Sequence, residues 1–208
     1  IGAGDEVITA PNSFIATAGA IIAAGANPVF VDVCDDYNIN SDLVEGAVTR
    51  KTKAIIPVHL AGRPANMKPL LEIAKKHKLC IIEDAAQAVG SRYYGKKTGT
   101  FGIAGCFSLH PVKNLNCCGD GGIITTNDEG LYEKLSKMRN HGLKNRDEAV
   151  CWGYNSRLDS VQAAILRVRL RHLEKSRKRV NEIVSIYKGE LKQLKGIEGH
   201  TAPCRGAS

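Results

Sequence analysis

The apolar positions of this chain fall into two alternating rhythms. Short apolar runs at Val7 to Ala10, Pro28 to Val33, Lys53 to His59, Leu79 to Asp84, Ala104 to Ser108 and Gly122 to Thr126 read as strands. Between them lie segments of helical character. The stretch Phe14 to Ala24 is small and Ala-rich, opened by Pro11-Asn12-Ser13 and closed by Gly25. Ser41 to Val48 and Asn66 to His77 follow, and a further helix is capped by Asn127 or Asp128 and runs to His141. Nearly continuous apolar strands separated by amphipathic helices predict an α/β fold, a mostly parallel sheet with helices on both faces. Right-handed crossovers then bring the strand C-termini to one edge, where ligands of open α/β sheets bind. Asp84 and Ser108 each end a strand, so both are expected to face one crevice, with Lys113 on the loop leaving it.

From Asp159 onward Ala163, Leu166, Leu170, Leu173, Val180, Ile183, Tyr187, Leu191 and Leu194 recur at three- and four-residue intervals. That spacing predicts one long amphipathic helix or two in tandem. The expected organisation is a large domain over residues 1–158, a long basic helical segment over 159–200, and a tail over 201–208 that fits no element and reads as disordered or artefactual. The chain opens on a turn, Ile1 to Glu6, that enters an apolar strand with no earlier element to pair with. We therefore expect a fragment that lacks its own N-terminal part.

Charge alters this picture only locally. The net charge is +8, but ten basic residues stand against three glutamates between Arg167 and Lys195, which leaves about +1 for everything else. A solvated helix face accounts for such a run more simply than nucleic-acid binding does. At 43% hydrophobic and 24% charged residues the composition is that of a globular protein. No apolar run reaches the roughly 18 residues of a membrane span, so the expected compartment is the cytoplasm. Seven cysteines, with no C-x-x-C pair, read as reduced thiols, several buried, and no metal site is expected. There is no G-x-G-x-x-G after a strand and no G-x-x-x-x-G-K-[ST], which removes most support for hydride transfer or nucleotide hydrolysis.

Three groups carry the candidate chemistry. Asp84 ends a strand in Ile81-Ile82-Glu83-Asp84-Ala85-Ala86-Gln87, Lys113 follows the next strand, and Asn155 lies in Gly153-Tyr154-Asn155-Ser156-Arg157. Each has a plain alternative: a loop lysine is ordinarily a solvated charge, and an aspartate at a strand end is ordinarily a cap. Together they supply what pyridoxal phosphate (PLP) needs, an amine for its aldehyde, a carboxylate for its ring nitrogen and donors for its phosphate. The chain resembles the DegT/DnrJ/EryC1/StrS family of PLP-dependent sugar aminotransferases, of fold type I, over about Gly2 to Lys195. The motifs are Asp5-Glu6-Val7-Ile8-Thr9 leading into Asn12-Ser13-Phe14-Ile15-Ala16-Thr17, then Glu83-Asp84-Ala85-Ala86-Gln87. They continue with Phe107-Ser108-Leu109-His110-Pro111-Val112-Lys113-Asn114 and its Gly-Asp-Gly-Gly tail, and with Gly153 to Arg157 running into Gln162-Ala163-Ala164.

The resemblance implies that residues 1–158 form the PLP-binding large domain and that Lys113 makes the internal aldimine and then shuttles a proton. It implies that Asp84 keeps the pyridine nitrogen protonated, that Phe14 stacks on the ring, that Gln87 bonds the ring hydroxyl and that Ser108 bonds the phosphate. Asn155 would reach the partner's phosphate across a homodimer. Members that dehydrate sugars resemble this pattern with histidine at the lysine, so Lys113 favours transamination. The implied reaction moves an amino group from an amino acid such as glutamate to a keto sugar of a nucleotide-sugar, with ping-pong kinetics. Two features depart from the family. Its phosphate-binding turn and small domain are not found in this sequence, and Asn116-Cys117-Cys118 stands where small residues are usual. A non-catalytic remnant or regulator, and a basic nucleic-acid-binding protein using the 167–195 helix, are the competing readings.

Overall fold

In the computed structural model, which describes residues 1–194, the apolar runs form one six-stranded sheet. Its strands are β1 (Glu6–Thr9), β2 (Asn27–Phe30), β3 (Thr52–Ile56), β4 (Cys80–Asp84), β7 (Ala104–Ser108) and β8 (Gly122–Thr125). They lie in the order β2-β1-β3-β4-β7-β8, parallel throughout except for β8, which runs antiparallel to β7. The sheet is thus mostly parallel, as the pattern predicts. A separate hairpin of β5 (Arg92–Tyr93) and β6 (Lys96–Lys97) has two-residue strands, too short for an alternation to register. Its turn is Tyr94-Gly95, both at positive φ (47° and 76°), the conformation that a tight hairpin requires.

The helices are α1 (Ile15–Ala23), α2 (Ser41–Val44), α3 (Met67–His77), α4 (Glu129–Met138) and α5 (Ser160–Leu191). The strand period of two explains why helices cover both faces. Along β1, Val7 packs with Ile21 of α1 and with Ala26 and Ala54, while its neighbour Ile8 packs with Met67 and Leu70 of α3 and with Ile55 and Val44. In α3, Met67, Leu70 and Ala74 make the buried stripe. The helix stops at Lys78, whose left-handed backbone (φ 56°) lets its N–H bond the last carbonyls.

Two helices are shorter than expected. Ser41 to Val48 divides into α2 and a 3-10 turn over Glu45–Ala47, where Gly46 favours the break. α4 is capped by the Asp128 carboxylate on the Leu131 N–H and ends at Met138 rather than His141. His141 is left-handed (φ 60°) and Asn140 bridges to Asn155, so the chain there has turned from helix to pairing.

The segment beyond Asp159 is one helix, not two. Leu166 is its buried residue, set in a small core with Leu109, Leu115 and Cys117, against which Val89, Leu158 and Leu173 also pack. Farther along α5, Leu170, Val180, Ile186 and Tyr187 are exposed. The end of the expected helical segment and the 201–208 tail lie outside the described residues. Among the described residues no helix is long and apolar enough to cross a membrane.

Candidate functional site

β4 and β7 are adjacent and parallel, with Asp84 opposite Cys106, so the ends of both strands open on the same edge of the sheet. This puts Asp84 and Ser108 at the same edge of the sheet, Ser108 two residues beyond Asp84's partner Cys106. The chain order reverses across β1, since β2 lies on one side of it and β3 on the other, and such a reversal is where open sheets form binding crevices.

Asp84 is held from both oxygens. Its Oδ1 accepts the Ala86 N–H at 3.1 Å and its Oδ2 accepts the Thr17 hydroxyl at 2.7 Å. Thr17 has one proton and gives it to the carboxylate, so the Ser13 hydroxyl, 2.8 Å away, donates to the Thr17 oxygen. The relay Ser13 to Thr17 to Asp84 crosses from α1 to β4 and fixes the carboxylate while leaving each oxygen a second lone pair for a ligand. Thr17 is the residue that sequence reasoning passed over. Its signal was the i, i+4 spacing from Ser13 on the buried side of a helix opening over a strand end.

Phe14, immediately before α1, is 72% exposed, so it is not the core residue that its bulk would suggest. Gln87 turns its Oε1 to accept the Ala61 N–H at 2.8 Å, which pins the strained turn Leu60–Gly62 (Ala61 φ 52°) and leaves the Nε2 side of the amide to donate. Ser108 is half-buried, and its Oγ accepts the His110 N–H where the chain leaves β7.

Lys113 sits half-buried in the turn that follows. Its N–H bonds the His110 carbonyl at 2.9 Å, its own carbonyl accepts the Asn116 side chain at 2.6 Å, and Asn114 bonds the Val89 carbonyl at 2.9 Å. The lysine backbone is therefore fixed by a backbone bond before it and by the Asn114 and Asn116 side chains after it. Asn155 is exposed, held by Arg157 Nε at 2.9 Å on the segment that bridges to Asn140. Asp84 and Ser108 end adjacent strands, Phe14 precedes the helix whose Thr17 bonds Asp84, and Gln87 and Lys113 lie on the segments that follow β4 and β7. Among the described residues no hydrogen bond joins Asn155 to Asp84, Ser108 or Lys113.

Beneath the site, Glu83 and His59 form a fully buried pair, Nε2 to Oε2 at 3.0 Å. His59 Nδ1 accepts the Ala65 N–H, so the imidazole is neutral and its Nε2–H donates. Glu83 also accepts the N–H groups of Gly99, Phe101 and Gly102 at 2.6 to 2.9 Å. Burial alone pushes its carboxyl up; the bonds from His59, Gly102 and Gly99 outweigh that and hold it below its ordinary value. Glu83 thus staples the loop before β7 to the strand that carries Asp84. Gly105 permits the approach, because a Cβ there would lie 2.3 Å from the Gly99 Cα.

The thiols differ from expectation in one respect. Cys117 is buried, but Cys34, Cys80, Cys118 and Cys151 are exposed, since each falls at an element end or in a loop. Cys106 is a neutral thiol whose pKa is raised by burial and by the charges of Asp84 and Glu83. Its proximity to Asp84 therefore brings no nucleophile to the site.

Comparison with known proteins bears on this geometry. The model of the DegT/DnrJ/EryC1/StrS aminotransferase family matches residues 1–207. A pleiotropic regulatory protein of Geobacillus stearothermophilus is 54% identical over 176 residues, 84% of this chain and 47% of that protein. A UDP-N-acetyl-3-dehydro-alpha-D-glucosamine 3-aminotransferase of Acidithiobacillus ferrooxidans is 51% identical over 174 residues, 83% of this chain and 47% of that protein. The crystal structure of S. venezuelae DesV with a ketimine intermediate superposes on all of this chain and 56% of its own, with TM-score 0.93 and 43% identity. The chain spans about half the length of the curated relatives it matches.

Proposed function

The chain belongs to the DegT/DnrJ/EryC1/StrS aminotransferase family, and on that premise we propose that the complete gene product moves an amino group from an amino acid, glutamate first among the candidates, to a keto sugar carried on a nucleotide. The family uses pyridoxal phosphate, and the donor set at the strand edge fits it. A carboxylate is ordered from both oxygens, an amine stands on the loop of the next strand, and an exposed aromatic opens the helix whose threonine holds that carboxylate. When bound, the cofactor supplies an aldehyde that condenses with amines and a ring that withdraws electrons.

The protein's own residues then have distinct tasks. The Asp84 carboxylate, next to a ring nitrogen, favours that nitrogen's protonated form by charge. An asparagine at this position would keep the shape but lose the charge and one of the two acceptors that now take the Ala86 N–H and the Thr17 hydroxyl. Phe14 offers a face for ring stacking. The Gln87 amide and the Ser108 hydroxyl donate to ring and phosphate oxygens. Lys113 would hold the cofactor covalently through its amine, and when free that amine would serve as the base that moves a proton. Asn155, on its separate loop, is assigned to the phosphate of a partner's site in a homodimer, which makes the dimer the active unit.

The observation that carries this reading is the Ser13 to Thr17 to Asp84 relay at the end of β4, next to the strand that leads into the Lys113 turn, since it orders a half-buried carboxylate at a strand end where packing alone requires none. The test is borohydride reduction of the complete gene product with pyridoxal phosphate, followed by peptide mapping. Label on Lys113 is expected; label on another lysine, or none, overturns the assignment.

A further inference from the structure

The Lys113 turn is built on a part of the molecule that lies far from it in sequence. Gln162, in the first turn of α5, accepts the Cys118 N–H through Oε1 at 2.8 Å and donates to the Cys118 carbonyl through Nε2 at 3.1 Å. One side-chain amide thus pairs both backbone groups of a single residue, as a neighbouring strand would. Two turns along the helix, Arg169 donates to the Asn116 carbonyl at 3.1 Å. Between them Leu166 is buried against Leu109, Leu115 and Cys117, and Leu173 packs at the end of the row. Residues 162, 166, 169 and 173 recur at helical spacing and so make one face. That face is directed at residues 109 to 118.

We infer that Gln162 is a positioning residue for the lysine turn, acting with Arg169 through the backbone of residues 116 to 118. The path is short. The helix fixes Asn116 and Cys118, and the Asn116 side chain bonds the Lys113 carbonyl at 2.6 Å. Apart from the Asn114 bond to Val89, the Lys113 and Cys117 N–H bonds to His110 and Leu109, and the buried Leu109, Leu115 and Cys117, the turn faces solvent, with Val112 80% exposed and Asn114 and Cys118 also exposed. The residue type is specific: glutamate accepts but does not donate, lysine donates but does not accept, and leucine does neither. Misplacing a reacting group by about 1 Å costs roughly a hundredfold in rate, so a few bonds on this turn bear directly on the amine. The functional half of this inference rests on Lys113 being the cofactor anchor; the structural half does not.

The experiment uses the complete gene product with Gln162→Leu, Gln162→Glu and, as a control on an exposed position of the same helix, Arg171→Ala. Two quantities are read: amide hydrogen exchange of the cofactor-free protein, by peptide, and the dissociation constant for pyridoxal phosphate by absorbance titration. Gln162→Leu is expected to speed exchange in the 109–121 peptide by about tenfold and weaken cofactor binding by about tenfold, the loss of two hydrogen bonds. Gln162→Glu, which keeps the acceptor, falls between at about threefold. Arg171→Ala matches the wild type, and exchange in β1 and α1 is unchanged in all three. Wild-type exchange in the 109–121 peptide for Gln162→Leu overturns the inference. So does acceleration spread evenly over the sheet, which would make Gln162 a general stabiliser. If Gln162→Leu does not fold, Gln162→Glu decides alone, and wild-type values for it overturn the inference. Should borohydride label a lysine other than Lys113, the exchange arm still reads the clamp, and the cofactor reading fails by itself.

Discussion

The Asp84 side of the site and the Lys113 side are supported by different means. Below Asp84, the sheet packs Ile8, Ile55, Met67 and Leu70 to zero exposure, and Glu83 binds four donors beneath the same strand. The Lys113 turn instead rests on four buried residues, one of them borrowed from α5, and on side-chain bonds to its backbone. One half is set by the sheet itself; the other waits for a helix that begins some fifty residues later to arrive. On the proposed reading, Asp84 holds a charge in place while the Lys113 amine moves between two bonding partners, and the two kinds of support suit those opposite requirements.

The sharpest separation comes from the amine itself. Lys113→Ala is expected to lower transamination by the complete gene product about a thousandfold or more, while unfolding stability shifts by no more than about 0.5 kcal/mol. A variant that loses both would mean that the turn is structural. The opposite pattern is expected for Glu83→Leu, which strands His59 and three amides in the core. With four buried donors left unsatisfied at about 1–3 kcal/mol each, it should cost about 4 kcal/mol or more by urea unfolding, and the comparison breaks if it is tolerated. Acid sharpens this further. Since the folded Glu83 carboxyl lies below its ordinary value, its contribution is complete above the unfolded pKa of about 4.3 and fades as pH falls through the folded one. The wild type should therefore lose stability on acidification below about pH 5, and Glu83→Gln should lose less over the same interval, as urea midpoints from pH 7 to pH 3 will read.

Leu166→Ala tests the weaker support. Emptying its place in so small a core should cost about 2–4 kcal/mol, with hydrogen exchange rising first over residues 109 to 121. Equal loss of protection in β1 and β3 would join the two regions into one cooperative unit and remove the distinction between them.

These two regions also differ in how well they could be read from sequence. The strand ends were legible because a period of two and a run of β-branched residues leave few registers open, so Asp84 and Ser108 fell on one edge from topology alone. Lys113 and Asn155 stood out by their chemistry, and the roles of Phe14 and Gln87 came from resemblance, because loop geometry leaves no periodic trace. The hairpin at Arg92–Lys97 was missed for that reason, its turn being legible only as Tyr94-Gly95. The Gln162 clamp joins residues 44 apart, and neither partner signals the other: a glutamine near a helix start looks like any polar surface residue. The apolar spacing of α5 was seen correctly, but spacing does not say how much of a stripe is covered, and most of this one is exposed in the described chain.

Thr17 gives the finest test, because it touches Asp84 without being charged or large. Thr17→Val keeps the β-branched shape that suits its buried place in α1 and removes the hydroxyl that donates to Oδ2. A hydrogen bond to a charged acceptor contributes about 1.5–3 kcal/mol, but Asp84 is only half-buried and water can replace the donor, so about 1 kcal/mol of stability is expected from urea unfolding. The cofactor-binding readout should move more than the stability does. Without the relay the carboxylate regains rotational freedom, and pyridoxal phosphate should bind several-fold more weakly in absorbance titration, whereas Thr17→Ser restores both values. If Thr17→Val binds as the wild type does, Asp84 is positioned by Ala86 and the strand alone, and the contrast between a fixed carboxylate and a mobile amine rests on the sheet rather than on α1.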